Sequence, residues 1–397
     1  MMGPSVRPAS RVHVYLSSQF WDGLWIIQQP IANEIAREEP VLYVERFVSI
    51  FTALRYPRLW KRLFTWLLGA RSVSPNLRLL APLPLFHLGH RVPGLFRLEF
   101  ALQGWWIRRW ASSDRGDTRV LWVDNPLYEC AVGLMRERLA IYHVADEITA
   151  FSTSHKAVSA ALERALLRRV DLVFAAAQRL AEDKQRWNPR THTVWNAIDT
   201  AAFEREPGAA SVADVERIPP PRVAFVGVLD EWVDLELLAL AATRLRQVQF
   251  VMVGPSRVPD RALKGLSNVH FLGRRDRVVV PGILRRCSAS LVPFRKTKLT
   301  ERTLPLKVFE ALAAGILPVC TDFSTDLYAL ERDGYALVCR SPDAFVTAVE
   351  QAVAADTPGT RERLSNYGRQ QAWRARWLQM RAVLDEYLAA SAPAVHH

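Results

Sequence analysis

Several things are missing from this sequence of 397 residues, and each absence removes a class of protein. No apolar run approaches the ~20 residues that a membrane-spanning helix needs; Leu63–Ala70 is among the longest. Arg7 and Arg11 precede only the short run Val12–Leu16, with no small-residue cleavage site, so no secretory signal is expected. The four cysteines, Cys130, Cys287, Cys320 and Cys339, include no C-x-x-C pair and are expected as reduced, buried thiols. No His, Cys or carboxylate cluster has metal-ligand spacing, so no metal is expected. Glycine-rich phosphate loops of the P-loop or G-x-G-x-x-G kind are missing too. Acidic residues almost vanish between Phe51 and Trp110, where Glu99 stands alone.

What is present is an ordinary globular composition with an excess of positive charge. Half the residues are hydrophobic and 23% are charged, at a length comfortable for two domains. The formal charge is +12, with 13 Trp. Such a balance points to a polyanionic neighbour. No nucleic-acid-binding signature accompanies it, which leaves an anionic membrane surface or phosphate-bearing substrates. The segment Phe51–Trp110 interleaves Trp60, Trp66, Trp105, Trp106 and Trp110 with ten Arg and Lys. That pattern predicts a segment lying at a lipid interface, with Trp at headgroup depth, on a protein peripheral to the inner face of the plasma membrane. The rival reading is core helices with solvated basic faces.

Short β-branched runs alternate with helix-period segments, which predicts an α/β protein with parallel sheets and crossover helices. In the first half, strands are expected at Val12–Ser17, Pro40–Val44, Val120–Val123, Ala140–Val144, Leu172–Ala175 and Thr193–Trp195, with helices such as Leu127–Arg138 and Ala157–Arg169 between them. Glu206 to Pro221 ends in Pro219-Pro220-Pro221 and marks the domain boundary. Further strands are expected at Arg222–Val226, Gln249–Val253, Val269–Leu272, Ala289–Val292, Leu317–Cys320 and Tyr335–Val338, then one long helix over Asn366–Ala389. The expected division is 1–205, 206–368 and a C-terminal helix, 369–397, packing back toward the first domain.

The most informative stretch runs from Leu291 to Val319. A strand ends near Pro293, a polar loop follows, and a helix is expected to start before Pro305 with Thr303 as N-cap. Free amides at such a helix start can hold a phosphate. Lys307 and Glu310, three apart, share a helix face, and Gly315 ends the helix.

Pro293, Phe294, Arg295, Thr300, Pro305, Lys307, Glu310, Leu312, Ala313, Ala314 and Gly315 fill a pattern that closely resembles the donor-binding motif of GT-B glycosyltransferases. The likeness is greatest to the retaining, family-4-like class of exopolysaccharide, capsule and teichuronic-acid synthesis. Further likenesses run along the chain: Ser17–Pro30 with Val41–Glu45, Ile141–Glu147, Val194–Asp199 with Phe203, Val223–Leu237 and Val269–Gly273. The resemblance implies two Rossmann-like domains facing across a cleft and a nucleoside-diphosphate sugar as co-substrate, with no other cofactor. It implies transfer to a saccharide acceptor, lipid-linked or polysaccharide, with retention. Glu310 would grip the ribose hydroxyls. Gly227, Asp230, Trp232, Arg295, Thr303, Leu304 and Lys307 would complete the donor site.

Three positions depart from the pattern. Arg302 stands where many members have a first Glu. Val228–Asp234 replaces a pair of pyrophosphate-clamping cations, and Ala197 replaces a Gly. Arg295, Lys307, Lys298 and Arg302 are the cations left for the diphosphate. His143 and Asp146 follow a strand toward its carboxyl end, where open α/β sheets bind ligands. His143 is expected either to touch the transferring sugar or to satisfy a core carbonyl. Asp230, Trp232 and Asp234 either frame the donor pocket or cap the next helix. A nucleotide-sugar epimerase and a non-catalytic saccharide- or lipid-binding protein are the rival functions.

Overall fold

The structure, a computed structural model, describes residues 11–391 apart from 24, 26, 85–92, 112–117, 148–155, 206–207 and 209–211. Arg7, Arg91 and the boundary residue Glu206 lie outside the described residues.

The chain divides into two compact units, each gathered from separate stretches of sequence. Unit 1 comprises Met1–Ala176, Ala181–Val194 and Trp377–His397; unit 2 comprises Ala177–Leu180 and Trp195–Arg376.

Unit 1 holds an eight-stranded sheet of β1 (Arg11–Leu16), β2 (Val41–Val44), β3 (Arg71–Ser74), β4 (Leu77–Leu80), β5 (Thr118–Val123), β6 (Leu139–Val144), β7 (Leu172–Ala175) and β8 (Thr191–Thr193). Their order is β3-β4-β2-β1-β5-β6-β7-β8, all parallel except β3, which runs antiparallel to β4. The central strands are buried throughout, as continuous apolar runs in a covered parallel sheet must be. Trp377, fully buried, packs its ring near Trp122 and His13, so the start of the last helix supplies core to this unit.

Unit 2 holds a six-stranded, wholly parallel sheet of β9 (Arg222–Val226), β10 (Gln249–Val253), β11 (Val269–Gly273), β12 (Ala289–Val292), β13 (Leu317–Thr321) and β14 (Leu337–Cys339). The order β11-β10-β9-β12-β13-β14 reverses direction between β9 and β12. At such a switch point the connections leave to opposite sides and open a crevice at the strands' carboxyl ends.

Three local expectations are corrected and one element is new. Leu127–Arg138 is a short 3-10 turn, Pro126–Ala131, because Gly133 and Arg136 both take left-handed backbone angles (φ 88° and 53°) that no helix continues. The strand near Thr193 lies at Thr191–Thr193. The single C-terminal helix is two, Pro358–Gln370 and Trp373–Ala390, since the carbonyl of Gln371 accepts from Ile198 N at 3.1 Å instead of from its own helix. The β3–β4 hairpin, turned at Pro75-Asn76, was not anticipated from its sparse apolar pattern.

The helix Leu306–Ala313 ends in a Schellman arrangement: Ile316 N donates to Ala311 O and Gly315 N to Leu312 O, with Gly315 at φ 79°. Pro358–Gln370 crosses it so closely that a Cβ on Gly368 would stand 2.3 Å from Ala313 N. Backbone cannot yield there as a flexible side chain would. Gly368→Ala is therefore expected to cost about 1–3 kcal/mol, the range for overpacked cores. Thermal or denaturant unfolding checks it; a wild-type midpoint would contradict the close crossing.

Candidate functional site

The second sheet's switch point is built from strand ends that close on one another. β9, β10 and β11 each run into a glycine with positive φ: Gly227 (146°), Gly254 (135°) and Gly273 (64°). Gly227 N donates to Val253 O, and Gly254 N to Gly273 O, both at 2.8 Å. A Cβ on Gly254 would fall 1.9 Å from Gly227 O, so the backbone there leaves no room for a side chain. The loops after β9 and β12 are also tied together: Asp234 N donates to Pro293 O and Arg295 N to Trp232 O, both at 2.8 Å.

Into this edge projects Lys307 from the first turn of the Leu306–Ala313 helix. Its ammonium lies 4.7 Å from the ring centre of Phe225 and 4.8 Å from that of Phe294. A Cβ on Gly227 would stand 2.6 Å from Lys307 Nζ, so Gly227 is what lets the cation reach the edge. Two ring faces offer cation–π attraction, but they replace water only in part. Burial accordingly lowers the lysine's pKa to about 8, against the opposing pull of Glu310. Glu310, three residues along the same helix, is half-buried, and burial raises its pKa while Arg277 and Lys307 oppose the shift.

The remaining residues fall into place around this pair. Asp234 caps the helix Leu235–Arg244 by accepting from Leu237 N, as one of the two readings held. Asp230 accepts from Glu231 N and pairs with Arg257 at 3.3 Å. Trp232 is partly buried against the unit 2 core, and Leu304 is inside it. Arg295 pairs with Asp234 and Glu236, both at 3.3 Å, and Arg302 donates to Lys298 O at 2.9 Å while lying 3.8 Å from Glu301. These partners occupy two of the four cations expected at the diphosphate. Lys298 is exposed.

Thr303 is not the N-cap. It is extended (φ −134°, ψ 140°) after the 3-10 turn Thr300–Arg302, and Pro305 is the capping residue, with no side-chain bond. Thr300 explains the shift: its hydroxyl donates to Arg295 O at 2.6 Å and accepts from Thr297 N at 2.8 Å, which folds the loop into a knot before the helix begins.

His143 and Asp146 belong to unit 1. His143 lies on β6, buried, with Nδ1 3.2 Å from Tyr15 Oη and its ring edge-on to Trp122. Burial lowers its pKa to about 4, which leaves a neutral ring at neutral pH. These are the surroundings of a core histidine. Asp146 is exposed in the loop that follows the strand. The first sheet's own switch point, between β1 and β5, carries Asp124, whose carboxylate accepts from Ser18 N at 2.9 Å and Ser18 Oγ at 3.0 Å. Burial raises its pKa to about 6.

Sequence reasoning missed Arg277, the Phe225–Phe294 ring pair and Gly254. The repeated hydrophobic–Gly strand ends, Val226-Gly227, Val253-Gly254 and Leu272-Gly273, were the available signal for the glycines. Nothing in the sequence shows that Phe225 and Phe294 flank one cation.

Comparison with known proteins agrees with this geometry. Residues 220–355, about a third of the chain, match the family described as "Glycosyl transferases group 1". Over 287 residues the chain is 23% identical to TuaH of Bacillus subtilis (strain 168), named for glycosyltransfer in teichuronic acid biosynthesis, covering 68% of this chain and 72% of that one. Among solved structures, sucrose-phosphate synthase from Thermosynechococcus elongatus superposes with a TM-score of 0.66 at 16% identity, over 96% of this chain and 100% of its own. Anabaena HepE, solved in complex with UDP, superposes at 0.65 and 13% identity, over 95% and 100%. The fold is GT-B, and the chain is a glycosyltransferase with its group 1 region in unit 2.

Proposed function

We propose that the protein moves a sugar from a nucleoside-diphosphate sugar to an acceptor hydroxyl, with retention, at the inner face of the plasma membrane. The observation that carries this reading is the Lys307 ammonium, held over Gly227 at the second sheet's switch point with Glu310 one turn along the same helix. Glu310, an acceptor-only carboxylate when ionised, suits two adjacent ribose hydroxyls. Lys307 suits the diphosphate. HepE, similar in fold, was solved with UDP and with UDP-glucose, which supports a nucleotide sugar as donor. The likeness to TuaH, named for teichuronic acid biosynthesis, supports a saccharide acceptor, polysaccharide or lipid-linked. No cofactor beyond the donor is called for.

In the transfer, the acceptor oxygen bonds to the anomeric carbon on the face from which the diphosphate oxygen departs, which retains the configuration, and the proton of the acceptor hydroxyl passes to the departing diphosphate oxygen. Negative charge grows on the departing diphosphate, and a poorly solvated ammonium already in position stabilises it more than water would. The lysine takes over from the cations missing between Val228 and Asp234. It approaches the same strand end from the neighbouring helix.

Lys307→Met should lower kcat about 10²-fold, the usual loss for one preorganised donor, with a smaller change in KM. Turnover at the wild-type level would move the diphosphate to Lys298 or Arg277. The lysine is charged below its pKa of about 8 and neutral above it. Affinity for UDP should therefore fall as pH rises through that value in the wild type and stay flat across it in Lys307→Met, as read by calorimetry. Glu310→Gln keeps the shape and removes the charge, and is expected to weaken UDP binding by about 2–3 kcal/mol. Unchanged affinity removes Glu310 from the ribose.

A further inference from the structure

The basic, Trp-rich segment of unit 1 contains an arrangement that its composition does not reveal. Pro57–Leu68 is a 3-10 helix, in which residues three apart eclipse one another. One row faces inward: Leu63 packs in a small core with Val48 and Ala53, and Trp66 meets Trp106 edge-on at 5.9 Å. Trp106 in turn meets Trp110 at 5.8 Å and donates Nε1–H to Ala81 O. Gly69 makes room for this cluster, since a Cβ there would stand 2.5 Å from the Trp110 ring. Trp66, Trp106 and Trp110 are therefore engaged with the protein, while Trp60 and Trp105 are 45% and 56% exposed.

The outward side of the same two segments is aliphatic and aromatic. Phe64, Leu67 and Leu68 are 57%, 64% and 72% exposed on the 3-10 helix, and Leu98, Leu102 and Trp105 form an exposed stripe on the helix Pro93–Trp110. Exposed cations accompany them: Arg55, Arg58, Lys61, Arg97 and Arg109. The one carboxylate in this span, Glu99, is buried. No described helix is long and apolar enough to cross a membrane.

Large apolar side chains left in water beside exposed positive charge call for a partner that is apolar inside and anionic at its surface. We infer that these two stripes form a docking face for an anionic lipid bilayer, with the aliphatic side chains and Trp105 entering the lipid. The Trp66–Trp106 contact joins the two segments that carry the stripes. This deepens the proposed reading by giving the lipid-linked acceptor a surface from which to be met, and it rests on that reading only for its use in catalysis.

The test is flotation of the full chain with vesicles of phosphatidylglycerol in phosphatidylcholine, and with phosphatidylcholine alone. The wild type should float with the anionic vesicles, poorly with the neutral ones, and partly detach in high salt. Replacing Phe64, Leu67 and Leu68 together by Ser should lower partitioning at least tenfold. Arg55→Glu, Arg58→Glu and Lys61→Glu should each lower it about fivefold or more, the change that losing one cation near such a surface brings. All these side chains are exposed, so unfolding midpoints and UDP affinity should stay at wild-type values. Absent flotation, equal flotation on neutral vesicles, or wild-type flotation in the triple Ser variant would each overturn the inference. So would a concentration-dependent dimer that the Ser variant dissolves without any vesicle binding, which would assign the face to a second copy. Loss of UDP binding with flotation intact would count against the proposed transferase chemistry and leave the docking face standing.

Discussion

The site depends on placing an ammonium where a backbone strand end has no room for anything else. Lys307 can occupy the edge of the second sheet only because Gly227 lacks a Cβ, and Gly227 holds its own course only because Gly254 lacks one behind it. The two phenylalanines supply negative ring faces without bringing a carboxylate that would neutralise the charge at close range. The result is a cation that stays available to an anion from outside. The arginines nearby, Arg295 and Arg302, have found partners within the chain. Availability, not the number of positive charges, separates them.

The second constraint is rigidity of the helix that carries the lysine. Leu306–Ala313 is only eight residues long, too short to be stable alone. It is fixed by the Thr300 knot before it, by the Schellman turn after it, and by the close crossing at Gly368. Each device costs a residue that can do little else, and together they hold Lys307 and Glu310 in one register.

Much of this was legible in the sequence, and for identifiable reasons. Buried parallel strands are continuous apolar runs, so Arg222–Val226, Gln249–Val253 and Ala289–Val292 could be read to the residue. The Lys307–Glu310 spacing gave a shared helix face directly. What stayed hidden depended on partners distant in sequence. The break at Gln371 needs Ile198 to take a carbonyl, and the late helix start needs a threonine hydroxyl to bond backward to Arg295. The tryptophans of the basic segment were legible in number but not in direction: Trp66 and Trp106 turn toward each other, while the aliphatic residues beside them turn out.

The division of the chain also has a consequence for how the protein is made. Unit 1 includes everything after Trp377, and Trp377, Met380 and Leu384 of that last stretch are buried in it. A chain leaving the ribosome therefore delivers all of unit 2 before unit 1 possesses its final core residues. The first sheet to be synthesised is the last to be completed. Through the making of nearly half the polypeptide, the surface awaiting Trp377 beside Trp122 and His13 must stay uncovered or be shielded by a chaperone. A stop codon near the end would then not merely trim a tail. It would leave the earliest-made domain permanently open.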